Sequence, residues 1–233
     1  MAEPEPPAAG GRTGGWAPIP PRNPGYGRYV GLLGLVIVVL ITLNTILTRP
    51  NGSEGVMPGA HIPPFAVPLA LASLEGDADV ATRSNEGAAG RVPACRLRRA
   101  GVLNVCALYE RAPLVLALFV EGGSCPQILG QMQALVFSYP GVGFAAVAIK
   151  GEHHQLRKLV RARRITFPVG VDRDGALAAL YKVASCPQVT FVLPGGVVAG
   201  RPLLGGAAAG GLRARVAALV RAARADGWRG PAA

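Results

Sequence analysis

Residues 114–128 read LVLALFVEGGSCPQI and contain the pattern that decides the fold. Leu114–Val120 is an unbroken apolar run, which predicts a strand buried on both faces of a sheet. Pro126 then begins a predicted helix, because proline suits the first helical position. The apolar side of that helix consists of Ile128, Leu129, Met132, Leu135 and Val136. A buried strand followed at once by an amphipathic helix is typical of an α/β protein.

The same alternation continues to the C-terminus. The further predicted elements are a buried strand at Gly143–Ile149, helices at Glu152–Arg164 and Asp174–Lys182, strands at Val189–Leu193 and Val197–Arg201, and a closing helix with Leu212, Val216, Leu219, Val220 and Ala223 on its apolar face. Pro194-Gly195-Gly196 predicts a tight turn between the last two strands. Upstream, Arg91–Glu110 predicts a hairpin that turns at Ala100-Gly101. This order predicts a central sheet with helices on both faces.

Tyr29–Thr48 (YVGLLGLVIVVLITLNTILT) is an apolar run of twenty residues without a charge. A helix of that length spans about 30 Å, the thickness of a bilayer's hydrocarbon core. A buried core helix would show a polar stripe, and a signal peptide would end in small residues, so we predict a single transmembrane helix. Three arginines precede the run and one follows it closely, which places the N-terminus in the cytoplasm and the C-terminal part outside.

The resulting organisation has five parts. They are a disordered cytoplasmic tail (1–28), the transmembrane helix (29–48), a linker (49–60), one folded domain (61–226) and a disordered tail (227–233). The formal net charge of +11 invites a nucleic-acid interpretation, but the arginines are scattered and aromatic residues make up only 6% of the chain. Without an aromatic stacking platform, we expect no nucleic-acid partner. Four cysteines without a C-x-x-C pair disfavour a zinc ribbon.

The order of elements resembles the thioredoxin fold, and three motifs strengthen the resemblance. His61–Pro68 (HIPPFAVP) looks like the extended N-terminal segment of membrane-anchored thioredoxin-like and peroxiredoxin-like proteins. Cys125 stands just after the first central strand, where those proteins keep their reactive thiol. Val183–Phe191 (VASCPQVTF) looks like their cis-proline loop, with Pro187 as the cis-proline. Over residues 59–226 the resemblance implies a thioredoxin-like central mixed sheet with flanking helices, preceded by the N-terminal transmembrane helix.

The chain departs from both standard motifs of this superfamily. A thioredoxin would have a second cysteine three residues after Cys125, where Ile128 stands. A peroxiredoxin would have threonine or serine three residues before it, where Gly122 stands. Neither standard activity therefore carries over directly.

Cys125 has the local features of a nucleophile. A cysteine at a helix N-terminus faces unpaired N–H groups and the positive end of the helix dipole, which lower the pKa of the thiol. In the thioredoxin fold the residue before the cis-proline packs beside the reactive cysteine, and here that residue is Cys186. The resemblance thus implies a dithiol/disulfide pair assembled across two loops. A permanent crosslink between them and the absence of any bond stay open.

Cys95 and Cys106 flank the predicted hairpin. Their separation of 11 residues suits a structural cross-strand disulfide, which an oxidising compartment would permit. Four cysteines allow three pairings, and we favour Cys95–Cys106 together with Cys125–Cys186.

The function that these features predict is extracytoplasmic thiol–disulfide exchange at the cell membrane. Cys125 is the expected attacking thiolate and Cys186 its partner, and Pro187 shapes the substrate groove. Protein thiols or disulfides are the expected substrates, and no organic cofactor or metal is expected because sulfur carries the electrons. The alternatives are a thiol peroxidase, in which peroxide oxidises Cys125 to a sulfenic acid, and a non-catalytic scaffold.

Two polar clusters have simpler interpretations. His153 and His154 diverge by about 100° on a helix, so they are expected to be solvated, with copper delivery beside the cysteines as the alternative. The basic run Arg157, Lys158, Arg161, Arg163 and Arg164 is expected to form a solvated face, with docking of an acidic partner as the alternative.

Overall fold

The computed structural model describes residues 24–47, 55–86 and 91–230. The chain divides into two compact units, Met1–Asn51 and Gly52–Ala233. Most of the predicted cytoplasmic tail, the linker up to residue 54, Thr48 and the last three residues of the C-terminal tail lie outside the described residues.

The first unit contains helix α1, Pro24–Leu47. Its described large apolar side chains, from Tyr29 to Leu43, are exposed all around the helix. Of the residues that the structure describes, no helix combines the length and the apolarity that crossing a membrane requires. The transmembrane span at Tyr29–Thr48 therefore stays a prediction.

The described residues of the second unit form seven strands and five α-helices. The strands are β1 (Ala66–Pro68), β2 (Val102–Asn104), β3 (Leu114–Phe119), β4 (Gly143–Ile149), β5 (Val169–Asp172), β6 (Gln188–Val192) and β7 (Leu203–Leu204). The helices are α2 (Val105–Tyr109), α3 (Gln127–Val136), α4 (His153–Ala162), α5 (Ala176–Leu180) and α6 (Ala207–Ala225), with a short 3₁₀ helix at Ala94–Arg96.

Five strands form one mixed sheet in the order β5-β4-β3-β6-β7. β3, β4 and β5 are parallel, whereas β6 is antiparallel to β3 and β7 is antiparallel to β6. β3 is central, and all six of its residues are buried, as the unbroken apolar run predicts. The α/β architecture and the mixed sheet expected from the sequence are confirmed.

Helices cover both faces of this sheet because successive side chains of a strand point to opposite sides. Val115, Ala117 and Phe119 of β3 belong to a core cluster that contains the buried sides of α3, α4 and α6. The alternate residues Leu114, Leu116 and Leu118 belong to a second cluster with α2, α5 and the segment around Phe65. The sheet is therefore the middle layer of three.

The hairpin predicted over Arg91–Glu110 is wrong. β2 pairs with β1, with Val67 opposite Leu103, and not with the residues that precede it. The Asn104 side chain explains the difference. Its Oδ1 accepts the Ala107 N–H at 3.3 Å and begins α2, while its Nδ2 donates to the Ala94 carbonyl at 2.9 Å and holds the 3₁₀ helix. The segment therefore forms a strand, β2, with a short helix on each side of it, and no hairpin.

The strand predicted at Val197–Arg201 is reduced to an isolated antiparallel bridge between Val198 and Val192. There the Leu193 N–H donates to the Val197 carbonyl at 2.7 Å, and the Ala199 N–H donates to the Phe191 carbonyl at 2.8 Å. The strand that returns along β6 is β7, with Leu203 opposite Val189. Residues 196–198 also hold the N-terminal segment of the domain, because the Gly196 carbonyl accepts the Ile62 N–H and the Val198 N–H donates to the Ala60 carbonyl, both at 2.9 Å. The short segment 196–199 therefore bonds to β6 on one side and to residues 60–62 on the other.

Candidate functional site

Cys125 and Cys186 lie together at the edge of the sheet where the parallel strands end. Cys125 lies between β3 and α3, and Cys186 immediately precedes Pro187 and β6. A disulfide joins the two, with Cα atoms 5.6 Å apart, inside the usual range for natural disulfides of about 4.4–6.8 Å. The Cys186–Pro187 peptide bond is cis. Both cysteines are partly buried, so the bond lies at the surface of the domain.

The pairing of β3 with β6 brings the two loops together. Leu118 lies opposite Gln188, and continuing this register by two residues places Val120 opposite Cys186. The Val120 N–H donates to the Cys186 Sγ at 3.2 Å. Beyond Val120, Gly123 adopts a positive φ of 62°, which lets the chain turn back toward the start of α3. Strand register therefore positions Cys186, and a glycine turn positions Cys125.

In the turn that leads into α3, each N–H donates to the carbonyl three residues before it. The N–H groups of residues 127–129 donate to the carbonyls of residues 124–126 at 3.1, 3.3 and 3.2 Å. The prediction that Cys125 faces unpaired N–H groups is therefore wrong, because these donors already have backbone acceptors. The dipole of α3 remains as a source of positive potential at Cys125.

A cation from α4 reaches the same turn. Arg163 caps the C-terminus of α4, and its Nη1 donates to the Pro126 carbonyl at 2.5 Å. Arg157 likewise donates its Nε–H to the Ala70 carbonyl at 3.2 Å. The solvated basic face predicted for α4 is therefore wrong for Arg157, which is half-buried, whereas Arg163 is exposed and hydrogen-bonded at the same time. Arg163 places a permanent positive charge beside the residue that follows Cys125.

A carboxyl group lies in the loop between β3 and Cys125. Glu121 Oε1 accepts the Glu152 N–H at 3.1 Å, just before α4. Burial raises the pKa of the Glu121 carboxyl, and the Glu152 N–H partly offsets that rise. Sequence reasoning missed Glu121, although a lone acidic residue between a buried strand and Cys125 was a visible signal.

A small groove runs beside the disulfide. It has a volume of about 70 Å³, and its lining includes Ser124, Gln127, Gln131, Cys186 and Pro187. Within the described part of the chain, the buried Oε1 of Gln131 has no hydrogen-bond partner. Buried polar atoms are normally paired, so this oxygen is an exception in the wall of the groove.

A second cavity, of about 300 Å³, lies beside the N-terminus of α4. The His153 ring lines it, with only 15% of the side chain exposed and Nε2 at 3.1 Å from the Leu69 carbonyl. The solvated position predicted for His153 is therefore wrong, whereas His154 is exposed. Among the residues that the structure describes, no cluster of three or more His, Cys, Asp or Glu side chains could hold a metal ion.

Cys95 and Cys106 form the second disulfide, with Cα atoms 5.4 Å apart. It joins the 3₁₀ helix to α2, so it is not the cross-strand bridge that the sequence predicts. Cys106 is only 3% exposed and belongs to the core cluster on the far side of the sheet from α3. This disulfide is remote from the groove and is suited to a structural role.

Comparison with known proteins gives matches in structure only. No protein-family model matches the chain, and no curated protein matches it. The peroxidoxin BcpB from Mycobacterium tuberculosis superposes with a TM-score of 0.51 and 13% identity, over 72% of this chain and 97% of that one. A candidate protein disulfide isomerase from Bacteroides thetaiotaomicron superposes with a TM-score of 0.51 and 12% identity, over 72% of this chain and 94% of that one. The C-terminal domain of a candidate thiol-disulfide oxidoreductase from the same organism superposes with a TM-score of 0.51 and 12% identity, over 73% of this chain and 99% of that one. At these identities the likeness shows a shared fold.

Proposed function

We propose that this chain, which has a thioredoxin-like fold, is a membrane-anchored extracytoplasmic thiol–disulfide oxidoreductase that exchanges its Cys125–Cys186 disulfide with protein thiols. One observation carries the proposal: a partly exposed disulfide joins two loops at one edge of the sheet, beside a groove that includes Pro187. Exchange requires a sulfur that an incoming thiolate can reach along the S–S axis. An exposed bond held by two loops meets that requirement better than a bond inside a core.

The proposed chemistry needs only the two sulfur atoms. In the direction that reduces a substrate, the Cys125 thiolate attacks a substrate disulfide and forms a mixed disulfide, and one substrate sulfur leaves as a thiolate. The Cys186 thiolate then attacks the Cys125 sulfur, which forms the Cys125–Cys186 bond and releases the second substrate thiolate. Two electrons pass from the domain to the substrate. Pro187 shapes the groove in which the substrate chain lies.

The test compares exchange with a disulfide-containing peptide in matched variants. Cys125→Ser is expected to lose exchange by at least about a hundredfold while its circular dichroism spectrum stays that of the parent, because Cys186 alone can neither store a disulfide in the domain nor resolve a mixed one. Cys95→Ala/Cys106→Ala is the control and is expected to keep exchange, since its sulfurs lie on the far side of the sheet. Unchanged exchange in Cys125→Ser would refute the proposal.

Two further measurements separate the alternative functions. A thiol peroxidase would consume hydrogen peroxide faster than it exchanges disulfides and would form a sulfenic acid at Cys125. Gly122, three residues before Cys125, argues against that outcome. A scaffold would show all four sulfurs inert to alkylation after mild reduction, whereas the proposal expects Cys125 and Cys186 to be labelled while Cys95 and Cys106 stay unlabelled.

The membrane anchor is the part of the proposal that rests on the sequence, because no helix in the described ranges meets the length and apolarity of a span. Its support is the uncharged run Tyr29–Thr48 and the exposed apolar side chains of α1. Full-length protein is expected to stay with the membrane fraction after alkaline carbonate washing, and a variant that lacks 1–48 is expected to be released. In intact cells, a membrane-impermeant thiol reagent is expected to label Cys125 after mild reduction. Release of the full-length chain by carbonate would contradict the anchor.

A further inference from the structure

The Val120 N–H has the position of a hydrogen-bond donor in the sheet, but its acceptor is a sulfur atom. Val120 lies opposite Cys186 in the extended register of β3 and β6, so its N–H points toward β6. A regular antiparallel ladder would give this donor a backbone carbonyl. Here it donates to the Cys186 Sγ at 3.2 Å.

This hydrogen bond strengthens when the Cys125–Cys186 bond breaks. A disulfide sulfur is a weak acceptor, whereas a thiolate carries a full charge, and hydrogen bonds to ionised groups are about twice as strong as neutral ones. The Val120 N–H thus stabilises Cys186 selectively as a thiolate. A hydrogen bond to the charged form of a group lowers its pKa.

Cys125 lacks an equivalent donor in its own turn. The N–H groups of residues 127–129 already have acceptors, and Pro126 has no N–H. The Arg163 guanidinium is hydrogen-bonded to the Pro126 carbonyl and not to the Cys125 sulfur, so it acts on Cys125 only indirectly. Glu121, an acidic residue at this edge of the sheet, accepts a hydrogen bond from the Glu152 N–H through its Oε1. The direct hydrogen bond therefore favours charge on Cys186 over charge on Cys125.

We infer that Cys186 is the leaving thiolate of the exchange reaction and that the domain therefore acts as a disulfide donor, oxidising dithiols in protein substrates. The inference rests on the proposed function and assigns its direction. A substrate thiolate attacks the Cys125 Sγ and a substrate–Cys125 bond forms. Cys186 leaves as a thiolate that accepts a hydrogen bond from the Val120 N–H. A second substrate thiolate attacks the substrate sulfur of the mixed disulfide and releases Cys125. Two electrons pass from the substrate dithiol to the domain.

The physical reason for the direction lies in the leaving group. A thiol of lower pKa leaves faster, and stabilising the reduced form makes a dithiol/disulfide pair more oxidising. One turnover requires no other reagent, because the oxidised domain is itself the oxidant.

The first test measures the two thiols separately. Cys186 is the free thiol in Cys125→Ser, and Cys125 is the free thiol in Cys186→Ser, with Cys95–Cys106 intact in both. The rate of iodoacetamide alkylation against pH is expected to give Cys186 a pKa at least about one unit below that of Cys125, a tenfold larger ratio of thiolate to thiol. In urea both thiols are expected to return to about 8.5. A Cys186 pKa equal to or above that of Cys125 in the folded protein would overturn the inference.

The second test removes the donor itself. Replacing the Val120 amide by an ester, through semisynthesis with the hydroxy acid analogue of valine, deletes the N–H and keeps the side chain. The ester is expected to raise the pKa of Cys186, whereas Val120→Ala, which keeps the N–H, is expected to leave it unchanged. An unchanged pKa in the folded ester protein would show that this N–H does not hold the thiolate.

The third test measures direction with a peptide supplied either as a dithiol or as its disulfide. The oxidised domain is expected to convert most of the dithiol peptide to disulfide at equilibrium. Exchange that leaves the peptide mainly reduced refutes the direction while the proposed function stands. If no exchange occurs in either direction although the Cys186 thiol is acidic, the proposed function fails and the assignment of the thiolate stands.

Discussion

Removal of the Cys95–Cys106 disulfide is expected to lower stability and leave thiol exchange intact. The bond closes a loop of about 12 residues, and the loop-closure entropy that it removes from the unfolded chain corresponds to about 3 kcal/mol at 25 °C. Because Cys106 is 3% exposed, deleting its sulfur also leaves a small void in the core cluster around Leu103 and Leu114. Cys95→Ala/Cys106→Ala is therefore expected to unfold with about 3–4 kcal/mol less free energy than the parent.

The assay is equilibrium unfolding in guanidinium chloride, followed by far-ultraviolet circular dichroism, with the Cys125–Cys186 bond oxidised in every sample. Arg96→Ala is the matched control, because Arg96 lies on the same 3₁₀ helix with an exposed side chain. It is expected to change the free energy of unfolding by less than about 0.5 kcal/mol. A loss below about 1 kcal/mol in the double variant, or a parallel loss of exchange activity, would refute the structural role of this bond.

Three further outcomes are expected. Asn104→Ala loses the cap of α2 and the donor to the Ala94 carbonyl, so its free energy of unfolding in urea should fall by about 2 kcal/mol, and an unchanged value would contradict this role. Burial, with the neighbouring Asp174 second, raises the pKa of Asp172 to about 6, above the unfolded value near 3.9, so the folded state binds the proton more tightly and stability should fall as pH rises from about 4 to 6. Asp172→Asn should remove that slope, and a slope that persists would assign it to another group. In the Cys186→Ser background, Arg163→Gln should slow the alkylation of Cys125 at pH 7 by about 3–10-fold by raising its pKa, whereas Arg161→Gln, an exposed neighbour on α4, should not.

The sequence predicts the central part of the fold well because its signals there are local. An unbroken apolar run defines β3, a second run defines β4 with the bounds that the structure has, and an apolar stripe defines α3. The resemblance to thioredoxin-like proteins is confirmed at the level of the fold by the matches with TM-scores of 0.51.

The elements that the sequence misses depend on contacts between distant residues. β5 has only four residues, too few for a clear pattern. The predicted hairpin failed because Asn104 uses both ends of its amide to organise the chain around it. No periodicity in the sequence reports such a hydrogen bond.

The candidate site, like the fold, has features that the sequence predicts and features that depend on contacts between distant residues. Both disulfides join the cysteines that the sequence analysis pairs, although the pairing of Cys125 with Cys186 rested on the family resemblance. The Val120 N–H and the Arg163 guanidinium could not be found from sequence, because strand register and helix packing bring them to the site. The catalytic roles of Cys125, Cys186 and Pro187 stay predictions.

A redox titration distinguishes an exchangeable Cys125–Cys186 bond from a permanent crosslink. The full chain would be equilibrated in glutathione buffers from oxidising to reducing, quenched by alkylation and digested, and each disulfide would be quantified by mass spectrometry. The Cys125–Cys186 bond is expected to open and close reversibly while Cys95–Cys106 stays closed and the circular dichroism spectrum stays constant. Opening of both bonds at the same glutathione ratio, or opening of Cys125–Cys186 only as the protein unfolds, would show that Cys125–Cys186 is a structural crosslink.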